Sequence, residues 1–200
     1  MDRREALKRV SVLFGGALYA PAVAGILSGC RTGGSAGYTP RTLAPGQHEL
    51  VAQIAERIIP ETDTPGARTA GVQDFIDLLL TEWAPDDDRA RFLKGLTELD
   101  AESRTKYGAA FTGATADQQV AMLTRLDTEA QAAIEAGAST AITYEYGWSD
   151  DLPFFGLMKQ LTLLGYYTSE IGATQELQWL AIPVYFDGCA PLADVGRAWA

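Results

Sequence analysis

Apolar residues recur along the chain at steps of three and four, the spacing that lines up one face of an α-helix. Between His48 and Ile59, the positions Leu50, Val51, Ile54 and Ile58 share one stripe, and Pro60 closes the segment. From Val72 to Trp83 the stripe is Val72, Phe75, Ile76, Leu79, Leu80 and Trp83, with Pro85 beyond it. Asp86, Asp87 and Asp88 suit the positive end of a helix dipole and open a segment that turns Phe92, Leu93, Leu96 and Leu99 inward. Thr115 and Gln118 make a capping-box pattern ahead of a helix reaching Glu135, with Val120, Leu123, Leu126 and Ile134 facing the core. A last helix is expected from Ser149-Asp150-Asp151 onward, striped by Phe154, Leu157, Met158, Leu161 and Leu164. Strand-like alternation is confined to residues 141–148, AITYEYGW. The pattern predicts an all-α chain: a compact single-domain multi-helix bundle spanning residues 47–200.

The first 46 residues read differently. A basic start (Arg3, Arg4, Lys8, Arg9) precedes an apolar run from Val10 to Leu27, the layout of an export signal. Gly15, Gly16, Pro21 and Gly25 interrupt the run, which is near the lower length limit for a membrane span. The paired Arg3 and Arg4 with Leu7 and Lys8 match the twin-arginine pattern, which serves proteins that fold before crossing the membrane. The segment lacks the usual Ser or Thr before the pair and the Phe after it, and ordinary secretion is the alternative reading. Leu27-Ser28-Gly29-Cys30 matches a lipobox, in which small residues let a peptidase reach the bond before a cysteine that carries diacylglycerol as a thioether. Residues 1–29 are therefore expected to be a twin-arginine-type lipoprotein signal. Residues 30–46, rich in Gly, Pro, Ser and Thr, are expected to be a flexible tether.

Charge and chemistry narrow the picture further. The chain carries a formal net charge of −10, and removing a leader with four positive and two negative residues leaves −12. An acidic domain without a basic stripe excludes nucleic acid as the expected partner. His48 is the only histidine, with no Cys or His at ligand spacing, and it is read as a solvated helix-start residue. No dinucleotide fingerprint, haem motif, cysteine set for an iron–sulfur cluster or nucleophile elbow is present. The sequence thus offers no catalytic, cofactor-binding or metal-binding residues. A chain without cofactor motifs that carries a signal suited to folded cargo implies that the cofactor belongs to a partner.

Three stretches carry a resemblance: IIPETDTPGARTAGVQDFID (58–77), LTLLGYYTSEIGATQEL (161–177) and YFDGCAP (185–191). With the helical segments between them, they resemble the small subunit of gluconate 2-dehydrogenase, subunit 3. The resemblance implies a non-catalytic subunit accompanying a large flavoprotein of the glucose–methanol–choline type. That partner would bind FAD and cross the membrane on this chain's signal, with a cytochrome c subunit often completing the complex. The expected location is the periplasmic side of a bacterial membrane, with lipid on Cys30 as the anchor. The lipobox departs from the family's usual pattern.

Within that reading, two segments are candidates for the partner interface. One is the turn with Pro60, Asp63, Pro65 and Gly66, whose alternative role is a plain helix connector. The other is the helix end with Tyr166, Tyr167, Thr168, Ser169 and Glu170, whose tyrosines suit either an interface or a core. Cys189, the thiol left once Cys30 is lipidated, is expected to be buried by its neighbours, covered by the partner or bonded to a cysteine of the partner. A stand-alone helical periplasmic lipoprotein, acting as a binding or structural module, is the competing function.

Overall fold

The computed structural model describes residues 37–138, 142–143, 147–148, 152–182 and 188–200. The expected leader, with Arg3 and Arg4, and the lipidation position Cys30 lie outside the described residues, as do Ser149, Asp150 and Asp151. Six α-helices are present among the described residues: α1 (Pro45–Ile58), α2 (Val72–Glu82), α3 (Asp86–Tyr107), α4 (Ala116–Glu135), α5 (Phe154–Tyr167) and the short α6 (Leu192–Val195). A 3-10 turn (Phe111–Gly113) precedes α4, and a π-turn (Gly172–Glu176) follows α5. The all-α expectation is borne out. Within the alternating stretch, Ile142–Thr143 pairs antiparallel with Gly147–Trp148, too short a ladder to organise anything around it.

Helix α5 is the axis of the packing, touching α1, α2, α3 and α4. Its sequence, FFGLMKQLTLLGYY, contains one charge, and it buries residues around most of its circumference, Phe155 to Met158, Leu161, Thr162, Gly165 and Tyr166. A helix that is apolar all round is stable only inside a shell of others. The shell helices contribute Val51, Ile54, Ile76, Leu80, Phe92, Leu96 and Met122, each fully buried. At Gly95 the approach of α3 to α5 leaves no room for a side chain: a Cβ there would sit 2.3 Å from the Phe154 ring.

Local signals explain the boundaries. Helix α1 starts at Pro45, three residues before the expected start, because proline in the first turn sacrifices only an N–H that no helix bond would use. In the capping box of α4, Thr115 Oγ1 accepts from Gln118 N at 3.3 Å and Gln118 Oε1 accepts from Thr115 N at 3.0 Å. Asp86, Asp87 and Asp88 occupy the first turn of α3 as expected, but none is the cap residue, which is Pro85. Arg89 closes the preceding helix, donating to Leu80 O at 2.7 Å and Ala84 O at 3.0 Å.

Two positions in the expected stripes face outward: Val120 is 49% exposed and Leu164 is 40% exposed. No described element covers α4 and α5 at these points. The expected flexible tether also needs correction. From Tyr38 onward it is packed against α2, and Leu43 is only 2% exposed.

The strap owes its place to Asp77, which is fully buried. Its Oδ1 accepts from Thr42 N at 3.0 Å and Leu43 N at 2.7 Å. Its Oδ2 accepts from the Tyr38 hydroxyl at 2.6 Å and Arg41 N at 2.8 Å. Burial drives this carboxyl's pKa up, but the four donors outweigh that and hold it below the ordinary carboxylate value.

Candidate functional site

The turn after α1 and the end of α5, far apart in sequence, meet in space. The Tyr166 hydroxyl donates to Pro65 O at 2.8 Å, and Thr64 Oγ1 donates to Glu176 Oε2 at 2.6 Å. The turn itself is wound round Glu56, whose Oε1 accepts from Glu61 N at 2.9 Å and whose Oε2 accepts from Arg68 N at 3.0 Å. Gly66 is buried where a Cβ would lie 2.5 Å from the Glu56 carboxylate and 2.6 Å from Glu61 N. Any larger residue would push the carboxylate out of the turn it organises.

Individual candidates separate by exposure. Pro60 and Asp63 are exposed, Pro65 is half-buried and Gly66 is buried. Tyr166 is 1% exposed and lies in the core, with its phenol pKa raised chiefly by burial. Tyr167, one residue on and in edge-to-face contact with it at 5.4 Å, is 41% exposed. Thr168 and Glu170 are exposed. Ser169 is half-buried: its Oγ donates to Tyr166 O at 2.6 Å and accepts from Gly172 N at 3.0 Å, turning the end of α5 into the π-turn. The outward-facing members of the candidate set are thus Pro60, Asp63, Tyr167, Thr168 and Glu170, while Tyr166 joins the two segments and Gly66 lets the turn close on Glu56. Cys189 is exposed, close in sequence to residues 183–187, which lie outside the described residues.

Sequence periodicity did not reveal a second exposed apolar group. The carboxyl-terminal segment runs back along residues 175–178, with Gln178 N donating to Ala198 O at 2.8 Å and Ala200 N donating to Gln178 O at 2.9 Å. Trp179, Leu180, Ile182 and Trp199 project around this pairing at exposures of 61%, 52%, 78% and 56%. An apolar run, WLAIPVYF (179–186), outside any helical stripe was the available hint.

The single histidine has structural partners. His48 is not solvated as expected: its Nε2 is 2.8 Å from Asp74 Oδ1, and its ring stacks on Tyr38 with centroids 6.4 Å apart. Among the described residues, no group of three or more His, Cys, Asp and Glu side chains is placed to hold a metal ion. No described helix is long and apolar enough to cross a membrane.

Comparison with known proteins covers both joined segments. No curated protein and no solved structure matches the chain. Residues 45–184, well over half of the chain, match Gluconate 2-dehydrogenase subunit 3. The match runs from the first helix through the turn, the central helix and the π-turn, and the chain belongs to the gluconate 2-dehydrogenase subunit 3 family.

Proposed function

We propose that this chain is the non-catalytic accessory small subunit of a periplasmic, membrane-associated flavoprotein dehydrogenase acting on sugars, polyols or sugar acids. It assists folding of the catalytic subunit and carries it through the twin-arginine route. Family membership over residues 45–184 is the observation that carries this reading. Several of its polar groups serve the fold. The single histidine is bonded to Asp74, the Asp77 carboxylate is taken up by the strap and the Tyr166 hydroxyl by Pro65. Exposed Tyr167, Trp179, Leu180, Ile182 and Trp199 supply apolar surface of the kind that subunits bury against each other.

In this reading FAD is bound by the partner, and a cytochrome c subunit takes up its electrons where one is present. Arg3 and Arg4 direct both proteins through the export machinery, and lipid on Cys30 holds the complex at the membrane. Affinity purification of the tagged chain from membranes tests the reading directly. The expected preparation contains a large second subunit and the absorbance of bound flavin. A partner-free, flavin-free monomer overturns the proposal. Replacing Arg3 and Arg4 by Lys is expected to leave both proteins in the cytoplasm, and normal delivery of the partner would reject co-export. Intact-mass analysis of the wild-type amino terminus checks the anchor, since an unmodified Cys30 would remove it.

A further inference from the structure

Between α1, α4 and α5 lies an open groove of about 220 Å³, lined by Arg57, Ile58, Val120, Leu123, Phe155 and the Lys159–Asp127 pair. Its floor is apolar, and half-exposed Val120 forms part of its rim. Lys159 Nζ and Asp127 Oδ1, 2.7 Å apart, largely cancel one another. Arg57 is different. Among the described residues, Arg41, Arg68, Arg89, Arg91, Arg104 and Arg125 each touch a carboxylate, whereas Arg57, like Arg197 at the carboxyl terminus, touches none.

The guanidinium of Arg57 is nevertheless held in place. Its Nε donates to Gln119 Oε1 at 2.9 Å, and Gln119 is 3% exposed. The Gln119 amide nitrogen donates to Phe111 O at 2.8 Å and Gln53 Oε1 at 3.0 Å, which fixes which way its oxygen points. A buried amide therefore aims a planar cation at the groove edge and leaves both terminal nitrogens to form a fork for a carboxylate. Orienting the side chain in advance removes part of the ordering cost of binding.

We propose that this groove docks a segment of the catalytic subunit that presents a carboxylate to Arg57 and a large apolar side chain to Ile58, Leu123 and Phe155. Charge complementarity selects the occupant: a cation with no acidic partner, on a chain of net charge −10, beside uncovered apolar surface. The volume suits one anchoring side chain and falls below the roughly 300–1,000 Å³ of small-molecule pockets. The inference rests on the accessory-subunit reading and adds to it a docking point on the α1–α4–α5 face.

The test compares full-length wild type with Arg57→Glu and Val120→Glu, each purified from membranes with its partner. Assembly affinity is measured on re-mixed subunits, and unfolding temperature is checked for each variant. Both variants are expected to fold as wild type and to bind the catalytic subunit at least about 30-fold more weakly. Well-folded variants that assemble with wild-type affinity overturn the groove while leaving the accessory role intact. Absence of any catalytic subunit on the wild type overturns both. Phenylacetate is titrated as a probe of the alternative occupant, a free acid. Saturable micromolar binding at the groove with unchanged assembly of the variants would assign it to a small molecule and reject subunit docking.

Discussion

Replacing Asp77 should release the strap that precedes α1. Asp77→Ala removes the acceptor of four hydrogen bonds at 2.6–3.0 Å, three of them from consecutive main-chain N–H groups. Bonds to a charged acceptor contribute about 1.5–3 kcal/mol each, but desolvating the carboxylate costs several kcal/mol in return. The loss is also capped. A strap left without its acceptor can peel away and rehydrate its N–H groups, forfeiting chiefly the burial of Leu43, about 1.5–3 kcal/mol. A net destabilisation of about 2–4 kcal/mol follows, which for a domain of this size lowers the unfolding temperature by roughly 5–15 °C.

Asp77→Asn should rescue little of this, although it has the same shape. Each carboxylate oxygen serves two donors, and an amide has only one oxygen. In either orientation its NH2 faces at least one main-chain N–H. Thermal unfolding of the chain supplies the stability measurement. Trypsin supplies the local one, because Arg41 lies within the strap with its side chain half exposed. Cleavage after Arg41 should accelerate in both variants before global unfolding begins. An Asn variant within about 0.5 kcal/mol of wild type, the spread of ordinary surface substitutions, with unchanged cleavage at Arg41, would refute the claim that Asp77 holds the strap.

The same pair of groups sets two pH limits. Tyr38, whose ordinary value is 10.0, is pushed up to about 12 by burial and by its bond to Asp77, so its contribution is full below pH 10 and lost as pH rises through about 12. Asp77, held below the ordinary carboxylate value, stabilises above that value, and its contribution is lost as pH falls through its lowered folded value; unfolding titrations of wild type and Tyr38→Phe check both limits. Gly95→Ala should destabilise by up to about 2 kcal/mol in urea, overpacking against Phe154 outweighing the ~1 kcal/mol that alanine gains over glycine in a helix. An unchanged midpoint would contradict the close approach of α3 to α5. Exposed Cys189 should react with iodoacetamide in the isolated chain and be protected in the complex, and equal labelling in both would exclude it from the interface.

The sequence alone determined whatever depends on neighbours within a turn or two. The stripe of α2, the capping box of Thr115 and Gln118, and the acidic opening of α3 were legible because backbone geometry brings residues three and four apart together. The two motifs at residues 58–77 and 161–177 were also legible as places of interest. Their contact was not, since Tyr166 reaches Pro65 across 101 positions of chain. Tertiary structure decided which tyrosine goes in and which faces out, because adjacent residues on a helix point about 100° apart and only the surrounding elements define the interior. It also decided that Val120 and Leu164 stay uncovered: periodicity defines a face without saying how far the neighbouring helices extend over it. The strap shows the same division. Gly, Pro, Ser and Thr in residues 30–46 read as a tether, yet its second half is ordered by Asp77, an acid set within the buried face of α2 between Gln73, Ile76 and Leu80. A carboxylate in that position needs donors, and which segment supplies them is settled only when the chain folds back on itself.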